Sequence, residues 1–178
     1  MYNIFLSLCP ENYKMKFLHF LVLIVLVAGC KNQGDKMSGD EQALGSQLEW
    51  LNIEQASEIG TKGSNNKKFL VDVYTDWCGW CKVMDKKTFT DPALIEYLNK
   101  NFHVVKFNAE QKEPVNYKGK TYNWEPMGRN GINSLGIELL QGRLSYPTLV
   151  YLNEKLEPIT ISPGYKKPEE LMAELQSL

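Results

Sequence analysis

The sequence predicts an α/β domain, a central mixed sheet with helices on both faces in a three-layer sandwich. Three observations carry that expectation. Strand-like apolar runs alternate with amphipathic helical stretches from residue 47 onward. One of them, Phe69-Leu70-Val71-Asp72-Val73-Tyr74, reads as a buried strand. Directly after it comes Thr75-Asp76-Trp77-Cys78-Gly79-Trp80-Cys81-Lys82, a Cys-x-x-Cys stretch at a strand-to-helix junction.

Taken in order, Leu48-Glu49-Trp50-Leu51-Asn52-Ile53 alternates in part and is expected to open the fold as a strand. Residues 54–61 follow as a short helix, stopped by Gly60, Gly63 and the Ser64-Asn65-Asn66 turn. The strand at 69–74 then leads into the cysteine pair, and Val83-Met84-Asp85-Lys86-Lys87 continues the helix beyond it. Thr90-Asp91-Pro92 marks the next helix start, with Asp91 as N-cap and Pro92 at the first helical position. Leu94, Ile95, Leu98 and Phe102 line one face of that helix, and residues 103–108 form the next strand.

Residues 109–130 interrupt the alternation. Val115-Asn116-Tyr117 and Thr121-Tyr122-Asn123-Trp124 flank Lys118-Gly119-Lys120, which predicts a hairpin. Its aromatics, Tyr117, Tyr122 and Trp124, have two readings: a lid or docking edge beside the sulfurs, or plain packing of the hairpin onto the domain. Residues 132–140 read as a helix with Ile132, Leu135, Leu139 and Leu140 at helical spacing and Gly142 as its stop. Thr148–Leu152 and Ile159–Ile161 read as an antiparallel pair around a turn at Asn153-Glu154-Lys155. A closing helix starts near Pro168 and buries Leu171, Leu175 and Leu178. The resulting order is β-α-β-α-β, then α-β-β-α.

A cysteine at a helix N-terminus faces unpaired backbone N–H groups and the positive end of the helix dipole, both of which favour a thiolate. The second sulfur, one turn on, lies within reach of the first, as a reversible dithiol/disulfide centre requires. Trp77-Cys78-Gly79-Trp80-Cys81-Lys82 resembles the thioredoxin signature Trp-Cys-Gly-Pro-Cys-Lys, with Trp80 in place of proline. The resemblance covers roughly residues 47–178, with an extra segment between about 110 and 130. It implies a thioredoxin-like fold and assigns further positions. Asp72, six residues before Cys78, corresponds to the buried aspartate under the disulfide, and Lys106 to the lysine beside it on the next strand. Tyr146-Pro147-Thr148 corresponds to the cis-proline loop that faces the sulfurs.

From this follow the expected roles. Cys78 is the nucleophile that forms a mixed disulfide and Cys81 resolves it, so that a Cys78–Cys81 disulfide is the redox-active pair. Asp72 is the acid/base that takes the proton of Cys81, supported by Lys106; a solvent-facing strand residue is the plainer reading. Trp77, Trp80, Tyr146 and Pro147 are the substrate-binding candidates. Trp77 acts as a platform, and Tyr146 offers backbone to an extended substrate strand. Trp80 adds bulk and a backbone N–H that proline lacks. A donor at the Cys78 sulfur would make the centre more oxidising, and about 30 mV corresponds to roughly 1.4 kcal/mol for this couple. A metal site is the competing use of Cys-x-x-Cys, but structural zinc takes four ligands. His19 and His103 are the two histidines and there is no second cysteine pair, so no metal and no cofactor is expected.

Upstream, Met15-Lys16 precedes an apolar run from Phe17 to Ala28, broken by His19. That run suits the core of an export signal better than a permanent membrane span. It ends in Val27-Ala28-Gly29-Cys30, which resembles the lipobox of bacterial lipoproteins, where the cysteine is diacylated and becomes residue one. An ordinary signal peptide or a buried apolar segment is the alternative. Residues 1–14 fit a signal poorly, and Met15 reads as the true start. The organisation expected is a signal with lipobox at 1–30, a flexible tether at 31–46 and a thioredoxin-like domain at 47–178. Sixteen tether residues reach about 20–25 Å as a coil.

Net charge −1 and the lack of a basic run give no case for nucleic acid. The function expected is an envelope-anchored thiol–disulfide oxidoreductase, lipid-anchored to a bacterial membrane and facing the periplasm or exterior. Its partners are protein thiols and disulfides of the envelope and a further redox partner that recycles the dithiol. The rival reading is a thioredoxin-fold binding module whose cysteines have only incidental redox activity.

Overall fold

The computed structural model describes residues 47–178. The export signal, the lipobox with Cys30 and the tether at 31–46 lie outside the described residues. In chain order the elements are α1 (Ile53–Lys62), β1 (Lys68–Tyr74), α2 (Gly79–Lys87), α3 (Pro92–Asn101), β2 (Phe102–Asn108), β3 (Val115–Tyr117), β4 (Lys120–Tyr122), β5 (Trp124–Glu125), β6 (Ile132–Asn133), α4 (Ser134–Leu139), β7 (Thr148–Leu152), β8 (Pro158–Pro163) and α5 (Pro168–Gln176).

Apolarity decides which strand is central. Five consecutive buried residues, Phe69 to Val73, leave β1 no solvent face, and it sits inside a four-stranded sheet of order β2-β1-β7-β8. β1 runs parallel to β2 and antiparallel to β7, so the sheet is mixed as expected. Because side chains alternate along a strand, the two faces carry different cores. Phe69, Val71, Val73, Val105, Phe107 and Val150 pack with Ile53 and Ala56 of α1 and Leu135 and Leu139 of α4. Leu70, Val104, Leu149 and Tyr151 point the other way, onto Met84 of α2, Leu94 and Leu98 of α3, and Leu171 and Leu175 of α5. Asp72 shares the Leu70 face and therefore lies under the layer that includes α2.

The helix starts follow local chemistry. Asp91 accepts a hydrogen bond from the amide of Leu94 at 2.9 Å, with Pro92 at the first helical position, as the sequence predicts. Asn52 caps α1 through a reciprocal pair: its Oδ1 accepts from the Gln55 amide (2.8 Å), and Gln55 Oε1 accepts from its own amide (2.9 Å).

That cap corrects the opening of the fold. The strand expected over residues 48–53 is reduced to one parallel bridge, Leu51 to Val105, with bonds from Leu51 N to Val104 O (2.9 Å) and Lys106 N to Leu51 O (3.0 Å). The capping box turns the chain into α1 two residues after Leu51, so no ladder can extend. The helix expected over 132–140 is also shorter. Ile132 and Asn133 pair with β5, and Asn133 then caps α4 by accepting from the Leu135 amide at 3.1 Å. The burial set is nonetheless the one the spacing implied, with Ile132, Leu135, Leu139 and Leu140 all buried.

β3 and β4 form the expected hairpin, closed by Lys118 and Gly119, both at positive φ as a two-residue turn requires. Tyr117 and Tyr122 are buried in the core shared with α1 and α4. Of the two readings of those rings, plain packing is the one the structure bears out. Trp124 instead covers a turn: a Cβ on Gly131, at φ +72°, would sit 2.1 Å from its ring.

Candidate active site

The strand-to-helix junction makes the site. Leaving β1, the chain turns at Thr75, whose carbonyl accepts from the Cys78 amide at 3.1 Å, and Cys78 becomes the N-cap of α2. Cys81, in the first turn, donates its amide to Cys78 Sγ at 3.1 Å. The two sulfurs are bonded at 2.06 Å with the Cα atoms 5.4 Å apart. Both cysteines are nearly inaccessible, at 3% and 2% exposure. A thiolate at Cys78 would meet the positive end of α2 together with that amide. The donor expected from Trp80 is thus supplied in this disulfide form by Cys81, an amide that exists whichever residue stands at 80.

Around the buried sulfurs the surface is aromatic and open. Trp77 and Trp80 are 60% and 62% exposed. Trp77 meets Tyr146 edge to face, centroids 5.9 Å apart, and its Nε1–H donates to Glu110 Oε1 at 2.8 Å. Trp80 leans on Tyr165 at 5.4 Å. The Tyr146–Pro147 peptide bond is cis, and the Pro147 carbonyl accepts from the Gly164 amide at 2.8 Å. Pairing of β7 begins at Thr148, so the sheet leaves Tyr146 outside its ladder.

On the α2 side of the sheet is a charged cluster. Asp72 is fully buried, pairs with Lys106 in the β1–β2 register, and accepts from Lys106 Nζ at 2.6 Å. The same ammonium donates to Asp85 of α2. Trp50, Tyr74 and Phe89 surround it, at 4.7, 5.2 and 5.5 Å from Nζ to the ring centroids. Burial pushes the Asp72 carboxyl up, and the attraction of Lys106 brings it only part of the way back. For Lys106 burial pulls down, but Asp72 and Asp85 outweigh it and hold the ammonium above its ordinary value. The solvent-facing reading of Asp72 is therefore wrong.

Residues 56–178 match the family model of a thioredoxin-like domain. The chain belongs to that family. The thiol:disulfide interchange protein DsbD of Haemophilus influenzae is 27% identical over 112 residues, covering 59% of this chain and 19% of that protein. The chain thus spans about a fifth or less of the length of the curated relatives it matches. Among solved structures, a disulphide-isomerase candidate of Bacteroides thetaiotaomicron is 25% identical with a TM-score of 0.51, covering 74% of this chain and 91% of that one. An oxidoreductase named DsbH superposes with a TM-score of 0.52 at 15% identity, over 81% of this chain and 92% of its own, which shows the shared fold.

The chain therefore has a thioredoxin-like thiol–disulfide oxidoreductase fold with Cys78 and Cys81 joined. Within this thioredoxin-like domain Trp77, next in the chain to the Cys78–Cys81 disulfide, packs on Tyr146, and Trp80, Tyr146 and Pro147 line one cleft, while Asp72 pairs with Lys106 on the α2 side of the sheet. Three neighbours were missed. Asp85 stands four residues after Cys81, one helical turn along, a spacing that marks it as sharing the Cys81 face. Glu110 and Tyr165 carry no such signal: each reaches a tryptophan of the site across a long sequence separation.

Proposed function

We propose that this domain is an envelope thiol–disulfide oxidoreductase that acts on the disulfides of exported proteins. The observation that carries the reading is the Cys78 sulfur at the N-terminus of α2, bonded to Cys81 and served by its amide. In the reduced form the Cys78 thiolate attacks a substrate disulfide. The substrate S–S bond breaks, one substrate sulfur leaves as a thiolate and takes up a proton, and Cys78 holds the other in a mixed disulfide. Cys81 then passes its proton to Asp72 and attacks Cys78 Sγ. The mixed disulfide breaks, the second substrate sulfur leaves and is protonated, and Cys78–Cys81 forms. Two electrons have moved to the substrate, and a dithiol partner protein must return them. Interchange of this kind is the role in the name of the Haemophilus influenzae relative.

Asp72 suits proton transfer because its carboxyl is raised by burial and so binds a proton more readily than a surface aspartate. The measurement that tests the reading is the reduction potential of the Cys78–Cys81 couple, with insulin as protein substrate. A value near about −270 mV marks a reductase and one near about −120 mV an oxidase. Failure of the reduced domain to exchange with any protein disulfide would remove the reading.

Anchoring through Cys30 is part of the proposal. The apolar run ending in Val27-Ala28-Gly29-Cys30 supports it, with residues 31–46 as the tether that lets the domain at 47–178 clear the lipid headgroups. The mature protein is expected to begin at a diacylated Cys30, and the intact mass of membrane-extracted protein checks this. A mature chain without acyl mass, or one still beginning at Met1 or Met15, refutes the anchor.

A further inference from the structure

Among the described residues, five large hydrophobic side chains are conspicuously exposed: Trp77, Trp80, Met127, Leu144 and Ile159. Single exposed apolar residues are ordinary, but a cluster of them marks a contact surface. Three of the five, Trp77 (60%), Met127 (47%) and Leu144 (42%), line one cleft of about 300 Å³ beside the disulfide. Tyr146 and Ile132 also line it, with Glu110, Arg129 and Asn130 as its polar members. That volume is at the bottom of the range for small-molecule pockets, room for one large side chain rather than for a cofactor.

The outer wall of the cleft is the turn at 127–131, part of the segment that interrupts the alternation between β2 and α4. The turn is pinned at several points. The Gly131 amide donates to the Met127 carbonyl at 2.8 Å, and Gly128 and Gly131 both take positive φ. The base of the whole excursion is tied by the Asn133 amide to the Ala109 carbonyl at 2.7 Å. Asn130 Nδ2 donates to the Glu110 carboxylate at 3.3 Å, and Glu110 in turn receives the indole N–H of Trp77 at 2.8 Å. A turn far away in sequence is therefore linked, through Glu110, to the tryptophan next to Cys78. A surface loop with no role at the site has no need of that link.

We propose that Trp77, Met127 and Leu144 form a specificity subsite for a large apolar or aromatic side chain of the substrate polypeptide, placed within two residues of the cysteine under exchange. The proposal rests on the oxidoreductase reading and names the substrate class of that site. Its geometry follows from Tyr146, which lies outside the β7 ladder and is shared by the cleft and the cis-proline loop. A substrate segment extended along Tyr146 presents every second side chain to the same face, about 6.8 Å apart. With the cysteine over Cys78, a neighbouring side chain on the Trp77 flank drops into the cleft between the two exposed aliphatic groups and the indole. The occupant is thus an extended, apolar-flanked cysteine segment of a protein.

The test uses the reduced wild-type protein and two cysteine peptides, each carried as a mixed disulfide with glutathione, identical except for Phe or Ser two residues from the cysteine on either side. Wild type is expected to favour the Phe peptide about tenfold in kcat/KM, the low end of what an apolar pocket discriminates. In Met127→Ser/Leu144→Ser, two exposed positions whose replacement does not touch the core, that ratio is expected to fall to about twofold or less. Two outcomes overturn the subsite while the oxidoreductase reading stands: equal rates for both peptides in wild type, or a preference that survives the double substitution. Exchange with neither peptide overturns both.

Discussion

Cys78→Ser is expected to abolish turnover of insulin disulfides, by roughly three orders of magnitude or more. The reason is chemical. A serine hydroxyl at the N-cap of α2 receives the same amide and the same helix dipole as the sulfur, but neither brings an alcohol into the range where it ionises near neutral pH. Cys81→Ser should behave differently. Cys78 keeps its place, and its thiolate still attacks, but the residue one turn deeper can no longer displace the substrate. The mixed disulfide then accumulates as a covalent adduct, visible as an added mass on non-reducing gels and lost on reduction. The two variants together assign nucleophile and resolver. If Cys81→Ser traps nothing and keeps wild-type insulin reduction, the assignment is reversed or wrong. Exposure does not decide between the sulfurs, since both cysteines are nearly closed off in the disulfide form. The expected roles rest on their places on α2, with Cys78 as the cap and Cys81 buried in the first turn.

Short-range features of this fold could be read from the chain because they are set by short-range rules. Asp91 and Pro92 announce a helix by their chemistry, and α3 begins there. Five buried residues in a row, four of them apolar, leave β1 no choice but the centre of the sheet. The misreadings have an equally local cause. Leu48 to Ile53 looked like a strand by alternation, yet Asn52 and Gln55 together make a capping box, and reciprocal hydrogen bonds at a helix start prevail over a weak alternating pattern. Ile132 and Leu135 have helical spacing, but Asn133 lies between them and prefers to cap.

At the site the division is between residues on the two central elements and residues brought in from elsewhere. Asp72 and Lys106 are paired across adjacent parallel strands, so the motif position of one fixes the other. Asp85 was within reach of the same logic, through its i+4 relation to Cys81. No periodicity links Glu110 to Trp77, Tyr165 to Trp80 or Met127 to Leu144. Those neighbours depend on how the loops after β2, β5, α4 and β8 are folded back, which is a tertiary fact.

Asp72→Asn is expected to make the protein more stable and slower at once. The carboxyl is buried on the face under α2, and its pKa lies above the ordinary value of 3.8 mainly because burial disfavours the ionised form. A folded-state value above the unfolded one means that the group's contribution to stability is present at low pH and is lost as pH rises through the folded value. Asparagine has no such ionisation. The stability difference between Asp72→Asn and wild type should therefore be small below about pH 4 and grow as pH rises above it. Lys106 does not lose its only partner, because Asp85 remains beside it and the ammonium is part-exposed. Urea unfolding at a series of pH values reads this difference directly. The kinetic effect has the opposite sign. Without a proton acceptor at position 72, Cys81 ionises less readily, and resolution of the mixed disulfide should slow by about 10²–10⁴, the usual worth of general acid–base help. The first attack by Cys78 should change less, because its thiolate is favoured by the α2 terminus and by the Cys81 amide rather than by Asp72. Stopped-flow measurement of the two half-reactions separates them. Equal resolution rates in wild type and Asp72→Asn across roughly pH 6 to 9 would make Asp72 a structural residue, and the stabilisation alone would then remain to explain.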